Sequence, residues 1–206
     1  MPYAGITQEQ PALNFISAHK GKVRLVTVSI GGNDFDGCST TPCVKSAMPT
    51  MEANIRSLVG SLNRALVRAS DTKARIVGLT YPDVELGLYV FPADPPAPAS
   101  VLQAQASVLA FDNVINPTLK KAYLPVSRSS TRSSFVNVTS APYGKAIKGD
   151  DTVLSLTEHL APYGTVPVSV AEVCQLTYFC SQGNIHATTQ GYTFIGKLVV
   201  ADVLTP

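Results

Sequence analysis

The sequence predicts an α/β fold in which a parallel sheet carries helices on both faces. Three observations lead there. Residues 23–30 (VRLVTVSI) and 74–81 (ARIVGLTY) are β-branched, almost wholly apolar runs, as strands covered on both faces require, and residues 134–140 (SFVNVTS) form a shorter third run. The stretches between and around them carry apolar residues at helical spacing. Strands that alternate with helices pair in parallel, because the connection between parallel neighbours needs a dozen or more residues.

Along the chain, a short helix is expected over residues 8–19, followed by 23–30 as an interior strand. Over 51–69 the apolar positions Met51, Ile55, Leu58, Val59, Leu62 and Leu66 recur at helical spacing while Arg56, Asn63 and Arg64 take other faces. This is an amphipathic helix packed on the sheet. The strand at 74–81 stops at Pro82-Asp83, and residues 91–100 (FPADPPAPAS) read as a stiff loop. Ser100 followed by Gln103 has the form of a capping box, which predicts a helix through Val108, Phe111 and Val114 that Pro117 breaks or kinks. After the third strand an irregular segment containing Pro, Gly and His159 leads to a final helix over 189–204, with Phe194, Ile195, Leu198 and Val199 on one side.

With 206 residues, 45% of them hydrophobic, the chain suits one domain over 1–206 with a substantial core. A formal net charge of +2 and scattered basic residues give no electrostatic footprint for nucleic acid. No apolar run reaches the roughly 20 residues that cross a bilayer, so no transmembrane segment is expected, and the residues after Met1 do not form an export signal. The cysteines point outward all the same. Cys38 and Cys43, and Cys174 and Cys180, lie close enough in sequence to close small loops. Local disulfides suit these spacings better than zinc, whose ligand pairs are usually tighter and for which no histidine lies close by; free thiols are the third option. Two disulfides imply an oxidising, extracellular compartment.

In a parallel sheet, ligands bind beyond the carboxyl ends of the strands. Gly31-Gly32-Asn33-Asp34 stands at that position after the first strand. Glycine lets the backbone turn sharply near a ligand, and the Asn33 amide can donate to a developing oxyanion, although the same residues also make ordinary turns. His186 falls just before a helix start offered by Thr188 or Thr189, on a loop where a general base could be held. His19 ends an amphipathic helix and reads, like His159, as a surface residue.

Together these features are more specific. An apolar strand ending in Gly-Gly-Asn-Asp and, much later, Ile185-His186, Gly191-Tyr192 and a terminal helix resemble the SGNH or GDSL family of serine ester hydrolases, in particular its secreted actinobacterial-type members with local disulfides. The resemblance covers nearly the whole chain, including residues 80–87 (TYPDVELG), and the segment 160–180 is similar to the cysteine-containing insertion before the family's histidine. It implies a flavodoxin-like three-layer α/β/α sandwich, a carboxylic or lipid ester as substrate and no cofactor or metal. On the matching positions, Asn33 corresponds to the oxyanion-hole amide and His186 to the general base for a serine nucleophile. Gly5, within residues 3–7 (YAGIT), matches the glycine whose backbone N–H helps to bind the oxyanion. Asn184 stands where the family has the aspartate that orients the histidine.

Two departures qualify the match. The family's Gly-Asp-Ser block, which supplies the nucleophile, occurs nowhere in these 206 residues, and Gly149-Asp150-Asp151 has the wrong third residue. Since the chain begins about where the second block stands, the resemblance implies that an N-terminal portion with one or more strands is missing, together with any export signal. Asn184 brings no charge to an imidazolium, and Ala187 replaces the family's proline. In a serine-protease triad the corresponding Asp to Asn change costs roughly 10⁴ in turnover. The expectation is therefore an ester hydrolase by descent, inactive or weak as given, with a sheet edge exposed to self-association. A non-catalytic binder of an acyl or glycan ligand on the same fold is the alternative.

Overall fold

The computed structural model describes residues 7–35, 37–92, 97–124, 132–139 and 156–204. Strands β1 (Leu25–Val28), β2 (Arg75–Leu79) and β3 (Arg132–Val136) form a sheet in the order β1-β2-β3, parallel throughout, with Val26 opposite Ile76 and Val77 opposite Ser134. Helix α1 (Glu9–Ala18) precedes β1, α2 (Thr41–Arg68) joins β1 to β2, and α3 (Pro98–Ala110) and α4 (Asn116–Tyr123) lie between β2 and β3. An antiparallel hairpin of β4 (Thr157–Leu160) and β5 (Gly164–Pro167) then leads into α5 (Val168–Leu176), α6 (Phe179–Gln182) and α7 (Thr189–Leu204).

Successive side chains of β2 point to opposite faces, and each face meets helices. Ile76 joins Ile16 of α1, Met51, Ile55 and Leu62 of α2, and Leu119 and Tyr123 of α4. Val77 and Leu79 join Val136 and Val138 against Ile195, Leu198 and Val199 of α7. This agrees with the helices expected on both faces. Gly78 is required where α4 crosses the sheet, because a Cβ there would collide with the Tyr123 ring. A third cluster joins Leu86 and Val90 to Ala104 and Val108 of α3 and to Val170 and Val173 of α5.

Several sequence expectations change. Among the described residues β1 stands at an edge of the sheet rather than in its interior: it pairs only with β2, and Leu25 is 41% exposed while Val28 is buried. Its apolar composition therefore covers one face only. α2 begins at Thr41, well before Met51, because Val44 and Met48 continue its buried stripe and Thr40 Oγ1 accepts the Cys43 N–H at 3.4 Å. Pro42 falls in the first turn, where no helical N–H is needed. The capping box does not form: α3 starts at Pro98, and the Gln103 amide donates instead to Glu85 Oε2 at 2.7 Å. Pro117 does not end the helix either. A π-turn over Phe111–Ile115 lets the Asn116 N–H reach the Phe111 carbonyl and absorbs the proline. The segment around His159 is regular, with His159 opposite Thr165 in the hairpin.

Candidate active site

The segments that follow β1 and β2 meet at one cleft. Three residues beyond the end of β1 the chain turns at Gly31, whose φ of +108° suits glycine, and a Cβ there would lie 3.0 Å from Met51 Sδ. A 3-10 turn over Gly32–Asp34 follows, closed by the Asp34 N–H to the Gly31 carbonyl at 3.2 Å. Beyond β2, Tyr81 passes beneath this turn. Its hydroxyl accepts the Gly32 N–H at 3.1 Å, and its ring lies 3.4 Å from where a Gly32 Cβ would be. Burial pushes the Tyr81 phenol up to about 12, so it stays neutral. Thr139 Oγ1 lies 2.6 Å from the Tyr81 carbonyl and 3.2 Å from both Thr80 Oγ1 and Asn116 Oδ1, a buried polar cluster that fixes the strand ends.

The cleft holds about 280 Å³. Phe35, Val44, Ala110, Phe111 and Ile115 make its wall largely apolar, and Asn33, Thr40, Glu85, Gln103 and Ser107 add polar groups. Phe35 and Phe111 meet edge to face, with centroids 6.4 Å apart. Ile185 reaches the cleft from the far end of the sequence and is otherwise 61% exposed. Asn33 and Ile185, the residue before His186, thus border one space.

The two disulfides hold the loops that carry these residues. Cys38–Cys43 closes the turn before α2, and Cys174–Cys180 joins α5 to α6. The loop beyond α6 is pinned to that connection: the Tyr178 N–H donates to the His186 carbonyl at 3.0 Å, and the Thr188 N–H to the Leu176 carbonyl at 2.8 Å. His186 is exposed and does not itself line the cleft. Asn184 does not orient its ring. The Asn184 Oδ1 accepts the His186 backbone N–H at 2.9 Å, so the side chain closes the turn that presents Ile185. Gly5 lies outside the described residues.

The chain matches no protein-family model, no curated protein and no solved structure. The site is therefore read from its own chemistry. It has a neutral amide at Asn33, an apolar wall and a nearby imidazole. Among the described residues no serine is hydrogen-bonded to His186, and no group of three or more His, Cys, Asp or Glu could hold a metal. No helix of those residues is long and apolar enough to cross a membrane.

Sequence reading missed the polar pair behind the wall. Asp83 is buried, and the Ser107 hydroxyl lies 2.8 Å from Asp83 Oδ2 and 2.8 Å from the Ala104 carbonyl. Burial raises the Asp83 carboxyl to about 7, reinforced by the Glu85 charge and opposed by the Ser107 hydrogen bond. In the sequence, Asp83 directly after Pro82 marks only the end of a strand. Its partner comes from another element, and no local pattern announces it.

Proposed function

We propose that this chain is an ester-hydrolase scaffold of the SGNH type, with a flavodoxin-like three-layer sandwich, whose cleft takes the acyl part of a carboxylic ester. The supporting observation is that Asn33 and Ile185, far apart in sequence, line one largely apolar cleft beyond the carboxyl ends of a parallel sheet. In this reading Asn33 donates its amide to the oxyanion, Tyr81 holds the Gly32 backbone beside it, and His186 serves as general base. The part of Gly5 rests on sequence alone. The two disulfides fit an extracellular protein.

A general base and an oxyanion donor without a nucleophile activate water poorly. The purified chain is therefore expected to hydrolyse a short-chain aryl ester little above background. The coding sequence upstream of Met1 supplies the test. An in-frame Gly-Asp-Ser after an apolar strand, when joined to the chain, should bring turnover that disappears in His186→Ala and falls by roughly 10²–10³ in Asn33→Ala. Rapid turnover by the 206-residue chain that survives His186→Ala would overturn the assignment of the base. A second reading, a non-catalytic acyl binder, draws support from Asn184, whose carbonyl oxygen is engaged by backbone rather than by the imidazole. An upstream sequence without the serine block, together with saturable binding of a fatty acid at the cleft, would favour it.

A further inference from the structure

A second concavity lies between α1 and α2, on the amino-end side of the sheet. It holds about 450 Å³ and is lined by Lys20, Arg64 and Arg68 together with Ser17, Ser61 and Leu13. The three cations are dispersed in the sequence, which is why charge patterning gives no patch there. Folding gathers them. The Gly21 N–H donates to the Ala69 carbonyl at 2.9 Å, which holds Lys20 against the end of α2 beside Arg68. Arg64 and Arg68 are four apart on that helix, a like-charge spacing that destabilises a helix unless an anion relieves it.

Among the described residues none of the three cations has an acidic partner; the ion pairs there are Arg24 with Asp71 and Arg56 and Lys121 with Glu52. Asp71, the carboxylate closest in sequence to the end of α2, is buried and already accepts the Val23 N–H as well as pairing with Arg24. The carbonyl ends of α1 and α2 also face this region, each equivalent to roughly half a negative charge. Against three full positive charges, those two ends leave a net positive groove. Guanidinium forks match the oxygens of phosphate, and the Ser17 and Ser61 hydroxyls add neutral donors. Arg64 already folds back over the helix, donating from Nη2 to Ser61 Oγ at 3.0 Å.

We propose that the α1–α2 groove binds a phosphate-bearing ligand through Arg64, Arg68 and Lys20. The shared chemistry is the phosphate group, carried either by a soluble molecule or by a phospholipid headgroup. Binding of sodium tripolyphosphate, measured by calorimetry at low salt with sodium chloride at matched ionic strength as the reference, tests it. Saturable binding is expected, weakened at least roughly tenfold in R64Q/R68Q and unchanged in K120Q/K197Q, which removes equal charge elsewhere. Lys20→Gln serves as a second probe should the double arginine variant fail to fold. Vesicles of phosphatidylglycerol and phosphatidylcholine separate the sources: sedimentation with them that tripolyphosphate abolishes points to a headgroup, whereas tripolyphosphate binding without sedimentation points to a soluble phosphate. No binding to either probe, or equal loss in both double variants, would overturn the proposal.

Discussion

Asp83 is fully enclosed, yet its Oδ1 has no hydrogen-bond partner. Enclosure without a partner favours the neutral form, in which that oxygen carries no charge. A neutral carboxyl can donate to Ser107 Oγ while that hydroxyl donates to the Ala104 carbonyl, so one proton on each group satisfies both short contacts. The folded-state value of about 7 lies above the ordinary 3.8, so the folded protein holds a proton that the unfolded chain has lost. Stability from this group is fully present below about pH 4, declines as pH rises towards 7 and is then lost, a difference of at most about 4 kcal/mol. Asp83→Asn, which keeps the shape and places a donor where the proton sits, should raise the denaturant midpoint at about pH 8 and change it little near pH 4. An equal loss of stability at both values would mean that the carboxyl is ionised in the folded protein. Because Ser107 also lines the cleft, the same proton governs which way one of its hydroxyls points.

Elements with a long amphipathic stripe or an unbroken β-branched run could be read from the sequence, since burial on a face is written in spacing. The terminal helix is found at the 189–204 expected for it, β1 and β2 lie within their predicted runs, and β3 (Arg132–Val136) starts before its expected run of 134–140 and overlaps only its beginning. What escaped were elements whose signals conflict. α2 starts across Pro42, capped by Thr40, ahead of the stripe expected from Met51, and the hairpin before α5 is short, polar and partly exposed. The spacing of the cysteines did announce both disulfides. Closing a loop this short constrains the unfolded chain modestly, so C38S/C43S should lower stability by about 2 kcal/mol on the chain-entropy account. Cys38, Ser39 and Thr40 also line the cleft, so the same variant should weaken binding of an apolar ligand there more than C174S/C180S does. Chemical denaturation and a fluorescent fatty-acid titration read the two effects separately, and an unchanged midpoint in C38S/C43S would show that α2 begins without help from the bond.

For the whole molecule, the sequence singled out Gly32 and Asn33, which border the cleft, but not the residues that meet them there. Gly31, Gly32 and Asn33 declared themselves by following an apolar strand, whereas Tyr81 is tied to them only because parallel pairing sets β2 beside β1. The same pairing leaves β1 with one partner among the described residues. Its second edge is a row of peptide groups beside Leu25 and Thr27, both exposed on one face, while Val26 and Val28 turn to the core. An unpaired edge next to exposed apolar surface is a template for another strand. Arg24 flanks it but is drawn towards Asp71, 3.5 Å away, which reduces its value as a charged guard. Reversible, concentration-dependent self-association of the 206-residue chain is therefore expected in sedimentation velocity. Leu25→Lys, which places a charge on the exposed face without touching the core, should shift the distribution towards monomer while leaving the unfolding midpoint within about 0.5 kcal/mol of the parent. A chain that stays monomeric at every concentration would mean that residues outside those described cover this edge, and a dimer insensitive to Leu25→Lys would place the contact elsewhere, on a surface such as the exposed Tyr192, Val200 and Leu204 of α7.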